Sequence, residues 1–367
     1  MTKKNRKIAV VLGTRPEIIK LSPVIRRLRA LRKDYFVVHT GQHYSYEMDR
    51  LFFKELGLPV AKYRLLVHQS PASGHGQHVG RMLDGLEDIL LKERPWVVLV
   101  QGDTNTVMAA ALVASKIQGM KVGHVEAGLR SYDRAMPEEV NRVITDHISD
   151  FLWPPTVEAR RTLLKEGIAP EKIFVTGNTI VDAVRQNLAL ARQRSKSLPY
   201  GLSSGGFFLL TLHRQENVDD PARLKLILLG LKKIHEHFQL PIIFPAHPRT
   251  VKMLKHFGLK LPAGVREVPP AGFLDFLRLE AEARLILTDS GGVQEEACIL
   301  RVPCVTLRTT TERPETVTAG GNVIAGFRPK NILLSAESLL RIKKKWKNPF
   351  GDGHSAEKIL RTLERMR

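Results

Sequence analysis

Cysteine is nearly absent: Cys298 and Cys304, flanking "ILRVP", are the only two in 367 residues. Their spacing is neither a C-x-x-C redox pair nor half of a zinc site, and H-E-x-x-H does not occur. Two reduced, buried thiols are the expectation. The histidine-rich stretches at His75 and His78 and at His235 and His237 lack cysteines or paired carboxylates beside them, so no metal is expected. No apolar run approaches the roughly 18 residues that a membrane span needs. The opening "MTKKNRKIAVVLG" is basic, but its apolar run ends at Gly13 and leads into a helical pattern. It reads as a first strand rather than a secretion signal, and a cytoplasmic protein is expected. A dinucleotide fingerprint is missing too. The nearest match to G-x-G-x-x-G is "GHGQHVG" from Gly74, with its last glycine one residue late. It follows a poor strand and has no acidic partner about 20 residues on, so no cofactor is expected. There is no internal repeat and no low-complexity tract.

Acidic residues are scarce beside basic ones, 37 against 57, for a net charge of +20. Such an excess raises nucleic acid or an anionic surface as a partner. The basic runs Arg26 to Lys33 and Arg341 to Lys347 sit at helical spacing beside apolar positions, the pattern of a solvated helix face. No aromatic-interleaved basic stripe or zinc-finger spacing accompanies them, so neither nucleic acid nor membrane is the expected partner. Part of the charge is left to serve an anionic small molecule.

What is present is alternation. The runs "KIAVVLG", "YFVVHTG", "PWVVLVQGD", "KVGHVEAG" and "DFLWPPT" each precede a helical pattern, the signature of a parallel sheet with crossover helices. A second series, "FFLLTLH", "PIIFPAH", "VREVPP", "LILTDS" and "PCVTL", begins after the Ser/Gly/Pro-rich stretch from Arg192 to Gly206. The length also favours roughly two domains. The fold class is therefore α/β, with two doubly wound, Rossmann-like domains facing across a cleft. The first takes residues 1–180 and the second 205–350, with a helix and linker over 181–204; the last helix, 354–367, is expected to cross back to the first domain. In such sheets ligands bind beyond the carboxyl ends of the strands, where strand order reverses.

The residues at the strand ends are therefore the candidates for function. In "GTRPEIIK", Thr14 and Glu17 match a capping box with Pro16 in the first turn. Arg15 and Lys20 then sit near a positive helix end, where a bound anion would relieve the conflict. Asp103 ends another buried run in "VQGDTN". "HVEAGLRSYDRAMPEEVNR" sets Glu126 at a strand end and spaces Glu138 and Arg142 four apart on one helix face, an ion-pair spacing. A carboxylate buried at a strand end needs hydrogen-bonding partners, so this cluster is expected to be an ordered network with acids able to move protons. In "LTDSGGVQEEA" a strand ends at Asp289, Ser290, Gly291 and Gly292 turn, and a helix begins near Val293. Glycines let backbone N–H groups approach a ligand and a helix N-terminus favours phosphate, while Glu296, a turn in, suits ribose hydroxyls. His213 and Arg313 sit on other loops of the second half.

Taken together, "GTRPEIIK", "GQH", "GDTNTVMAAA", "HVEAGLRS", "MPEEVNR", "VTGNTIVDA", "HRQEN", "PAHPRT", "TDSGGVQEEA" and "TTERPE" resemble the non-hydrolysing UDP-N-acetylglucosamine 2-epimerases nearly end to end. The resemblance implies a GT-B fold with UDP-sugar between the domains, and a homodimer. It implies substrate contacts at Arg15 and Lys20, UDP contacts at His213, Phe276, Ser290, Gly291, Gly292, Glu296 and Arg313, and a catalytic set of Asp103, Glu126, Glu138 and Arg142, joined by His213. It implies an allosteric site near Gln42, His43 and His247, although the residues after "GQH" differ from the common bacterial run. Ala271 stands where many members carry a substrate-contacting glutamine.

The implied chemistry explains the residues. The sugar's C2 proton has no adjacent carbonyl, so direct deprotonation is too slow. Eliminating UDP across C1–C2 gives a 2-acetamidoglucal, and re-addition delivers the proton to the opposite face. That needs a base, an acid and cations holding the diphosphate. The expected activity is interconversion of UDP-GlcNAc and UDP-ManNAc for surface polysaccharide or glycan precursors. The alternatives are a 2-epimerase of another UDP-2-acetamido sugar, such as a diacetamido uronate, and a GT-B glycosyltransferase. The hydrolysing relatives carry "GDR" where this chain has "GDT".

Overall fold

The computed structural model describes residues 6–42, 46–65, 67, 74–342 and 346–366, for 46–49 and 75 by backbone alone. Contacts divide the chain into two compact units, residues 1–183 with 350–367, and residues 184–349. In the first unit, β1 (Ile8–Leu12), β2 (Tyr35–His39), β3 (Tyr63–Arg64), β4 (Val97–Gln101), β5 (Lys121–Val125) and β6 (Phe151–Trp153) form a parallel sheet in the order β3-β2-β1-β4-β5-β6. In the second, β7 (Phe208–Thr211), β8 (Ile242–Pro245), β9 (Val265–Val268), β10 (Leu285–Thr288), β11 (Cys304–Thr306) and β12 (Asn322–Ile324) follow the order β12-β11-β10-β7-β8-β9. Counted from its own first strand, the second sheet repeats the first. Strand order reverses between β1 and β4, and again between β7 and β10, so ligand sites belong beyond those carboxyl ends.

The strands read as unbroken apolar runs because helices cover both faces. Phe208 and Leu210 point into one core of the second unit and Leu209 into another. In the first unit Ala9, Val11, Val98 and Val100 share a core with the Ala-rich helix Asn105–Lys116, whose small side chains let it lie close on the sheet. The last helix, Ser355–Arg365, lies against the helix Arg15–Ala30 of the first unit. Asp182 receives its opening N–H groups, from Ser355 at 3.2 Å and Ala356 at 3.0 Å. Cys298 and Cys304 are buried and unbridged, and burial pushes the Cys298 thiol up to about 12. No helix among the described residues is long and apolar enough to cross a membrane.

Candidate functional site

In the first unit three neighbouring strand ends converge. After β1, Thr14 caps the helix Arg15–Ala30 in a capping box with Glu17. Glu17 is buried and accepts hydrogen bonds from the N–H groups of Gly13 (2.5 Å) and Thr14 (2.9 Å) and from the Thr104 hydroxyl. Burial drives its carboxyl up to about 7 against the opposing pull of those donors. One carboxyl thus ties the end of β1 to the end of β4.

Lys20, a turn further along, does not remain a lone cation at the helix end. Its ammonium lies 2.7 and 2.8 Å from the two oxygens of Glu126, just past β5. Glu126 also accepts from Gln101, at the end of β4, and from Asn178 at 3.2 Å. It is 7% exposed with φ +70°, a left-handed conformation that costs a non-glycine residue energy and that this packing must hold in place.

Asp103, after β4, is held by the helix Pro137–Ile148. Arg142 donates to its carboxylate from Nε (3.0 Å) and Nη2 (2.6 Å), and Asn141 donates to its carbonyl at 2.9 Å. The sequence spacing predicts that Arg142 pairs with Glu138, and here the structure differs. The partner is Glu139, at 2.7 Å, while Glu138 stands exposed. The reason is local: Glu139 receives the N–H groups of Ser131 and Tyr132, both at 2.9 Å, which fix it facing inward. Burial works to raise its carboxyl, but those donors and Arg142 outweigh it and hold it below the usual range.

In the second unit the helix Gly291–Leu300 begins two residues earlier than the sequence predicts, with Ser290 as its cap. Neither Gly291 nor Gly292 has a positive φ, and a Cβ on either would meet nothing closer than 3.6 Å. Asp289, fully buried behind the turn, accepts from the N–H groups of His213 (3.0 Å) and Arg214 (2.9 Å) and from Asn217 (3.1 Å), so it locks the His213 loop to the Ser290 turn. Burial first, then the charges of His247 and Arg214, lower the His213 pKa against the pull of Asp289. A concave pocket of about 240 Å³ opens here, lined by Thr211, His213, Ala271, Phe276 and Ser290 among others. Glu296 lies on the same helix beside Glu280, whose fully buried carboxyl is raised well above its ordinary value by burial and then by Glu296. Arg313 forms an ion pair with Glu295 at 3.0 Å.

Of the residues named for an activator site, Gln42 belongs to the first unit, where its amide oxygen accepts from the backbone (3.1 Å) and hydroxyl (2.8 Å) of Thr106. His247 belongs to the second, its ring centroid 5.5 Å from that of His213. His43 lies outside the described residues.

Sequence reasoning overlooked several partners: Glu17 as more than a cap, Glu139 as the acid that Arg142 meets, and Gln101, Asn141, Asp146, Asn178 and His124 altogether. A signal existed for some. Glu139, Arg142 and Asp146 recur at helical period on one face, and Gln101 is a polar residue closing an otherwise apolar run.

A family model described as UDP-N-acetylglucosamine 2-epimerase matches residues 26–364. The UDP-N-acetylglucosamine 2-epimerase of Methanocaldococcus jannaschii is 54% identical over 364 residues, 97% of this chain and 98% of that protein. A crystal structure of the epimerase from the same organism, in complex with UDP-GlcNAc and UDP, matches with a TM-score of 0.83 at 53% identity, over 98% of this chain and 99% of that one. The UDP-2,3-diacetamido-2,3-dideoxy-D-glucuronate 2-epimerase of Pseudomonas aeruginosa is 41% identical, over 98% of this chain and all of that protein. With its paired α/β sheets and a match that runs almost from end to end, this chain belongs to the UDP-N-acetylglucosamine 2-epimerase family.

Proposed function

We propose that this protein reversibly converts UDP-N-acetylglucosamine to UDP-N-acetylmannosamine without net hydrolysis, as a homodimer supplying precursors for surface polysaccharide or glycan. The observation that carries this reading is the pair of carboxylates, Asp103 and Glu126, at adjacent strand ends, each fixed by a cation, Arg142 and Lys20. A base removes the C2 proton while the C1–O bond breaks and UDP departs with the bonding electrons. The resulting 2-acetamidoglucal takes a proton at C2 from the opposite face as the UDP oxygen returns to C1. Two positioned carboxyl groups of this kind supply the acid and the base.

The second unit suits the nucleotide. The packing of the protein itself gives no reason for two successive glycines after Ser290, since side chains would find room there. A diphosphate seated on the backbone N–H groups of a helix start gives one. Glu296 and Phe276 fit the ribose and the uracil end, and His213 and Arg313 suit the departing diphosphate.

The test is incubation with UDP-GlcNAc in D2O without added cofactor, following C2 by NMR. Deuterium at C2 with formation of UDP-ManNAc is expected, together with scrambling of an oxygen label placed in the C1–O bridge. Epimerisation with that bridge intact would overturn the elimination route. The identity to the Pseudomonas aeruginosa enzyme favours a second reading, in which the substrate is a UDP-diacetamido uronate. A kcat/KM at least about tenfold higher on that sugar than on UDP-GlcNAc would establish it, a factor worth 1.4 kcal/mol in transition-state binding.

A further inference from the structure

Behind Asp103 lies a buried charge network that touches none of the residues assigned to substrate. His124, on β5, is 1% exposed. Its Nδ1 stands 2.7 Å from Asp146 Oδ1 and its Nε2 stands 2.8 Å from the carbonyl oxygen of Gly102. A carbonyl oxygen only accepts hydrogen bonds. Asp146 is placed to act as a carboxylate: its other oxygen accepts from Arg130 at 2.7 Å and from the Gly128 N–H at 3.1 Å. Burial works to raise the Asp146 carboxyl, but the His124 ring and the Arg130 guanidinium outweigh it and hold it low. With an acceptor at each end, the ring completes both bonds only when both nitrogens carry protons.

Charge balance points the same way. Arg130 also donates to Glu166 at 2.8 and 2.6 Å. Two cations, His124 and Arg130, then face two anions, Asp146 and Glu166. The residues in register with His124, Val100 on β4 and Leu152 on β6, are apolar and supply no further charge. Glu166 is partly exposed, so the decisive cost of a neutral ring is local: a bare nitrogen lone pair would face an oxygen away from water.

The Gly102 carbonyl is the one immediately before Asp103. Gly102 takes φ +86°, and its N–H is held by the Val125 carbonyl at 3.2 Å, so the ring grips a turn whose other side is already fixed. Asn141, Arg142 and Asp146 all come from the helix Pro137–Ile148, so one helix holds the Asp103 carbonyl, its carboxylate and, through His124, the carbonyl before it. We propose that His124 is a doubly protonated positioning residue that clamps the Gly102 carbonyl and thereby sets the aim of Asp103, without touching substrate. This role rests on the reading of Asp103 as a proton-transfer group. Losing that clamp would slow turnover rather than weaken binding.

The test uses the full chain labelled with 15N-histidine at about neutral pH. One ring, assigned by its disappearance in His124→Gln, is expected to show protons on both nitrogens; a ring with one bare nitrogen would overturn the proposal. In kinetics, His124→Gln and Asp146→Asn are each expected to lower kcat about tenfold or more with KM within about twofold, as for a misaimed group remote from the ligand. Folded variants with the wild-type kcat would sink it. If the variants fail to fold, the ring is assigned in the wild type by its nuclear Overhauser contacts to Val100 and Leu152, and its protonation still decides. A wild-type protein that epimerises no UDP-sugar is a different outcome, and condemns the assignment of Asp103 instead.

Discussion

Asp103 and Glu126, the two carboxylates proposed for proton transfer, differ in their surroundings. Asp103 has its carboxylate on Arg142 and a side chain 33% exposed, so it can meet a ligand from solvent. Glu126 is enclosed by Lys20, Gln101 and Asn178 and must act from within a closed ring of donors. Asp103→Asn and Glu126→Gln are each expected to lower turnover by at least about 100-fold, the usual scale for a proton-transfer group. Near-normal rates in both would move the chemistry elsewhere. Glu17 makes a prediction about stability instead. Its folded pKa near 7 lies above the ordinary 4.5, so the native state holds the proton more tightly than the unfolded chain does. Its contribution is therefore fully present below about pH 4.5 and is lost as pH rises through 7, a change of about 3 kcal/mol in all. Urea unfolding of the wild type and of Glu17→Gln at about pH 5 and about pH 8.5 should show the variant losing less stability on the alkaline side. Parallel losses would show that some other group titrates.

At the scale of elements, the sequence makes ten of the twelve strands plain and hides one edge strand of each sheet. Ten strands appear as apolar runs, but β3 is only Tyr63–Arg64 and β12 only Asn322–Ile324. Two or three half-buried residues at a sheet edge leave no periodic trace; their neighbours' backbones recruit them. The helix Pro137–Ile148 marks a second limit. Its existence and its proline start were legible, yet spacing alone favoured Glu138 as the partner of Arg142, because both acids lie within reach of that side chain along the helix. Choosing between them took the N–H groups of Ser131 and Tyr132, loop atoms that no pattern places. The two glutamates should therefore separate by experiment. Glu139→Ala removes one partner of a buried pair and is expected to cost about 3 kcal/mol of stability and to slow turnover through Arg142. Glu138→Gln should change stability by less than about 0.5 kcal/mol, as exposed substitutions do. If the family resemblance carries Glu138 into catalysis, its turnover falls nonetheless. A Glu139→Ala protein as stable as the wild type would refute the structural assignment.

For the whole molecule, the repeated strand order explains why the candidate residues at the strand ends were more legible than the residues that support them. A doubly wound sheet favours ligands beyond its strand ends, and the apolar runs alone were enough to place Asp103, Glu126, His213 and Ser290 just past β4, β5, β7 and β10. The supports come from crossover helices and loops, and those depend on tertiary packing. Net charge was the least decisive signal, and the structure narrows its meaning. Cations near the candidate sites already face acids: Lys20 faces Glu126, Arg142 faces Asp103 and Glu139, and Arg313 faces Glu295. Those pairs cancel locally, so the excess of +20 lies outside them and is expected to act at a distance, as a field that draws in an anionic substrate. Such a field is screened by salt, whereas contacts inside a closed site are screened far less. Raising KCl from about 50 to about 500 mM shortens the screening length roughly threefold and should lower kcat/KM several-fold while leaving kcat at saturating UDP-sugar unchanged. A kcat that falls in step with kcat/KM would mean that salt breaks the ion pairs of the site itself. Strong retardation of random DNA at low salt, with kcat/KM indifferent to KCl, would assign the surplus charge to a nucleic acid instead.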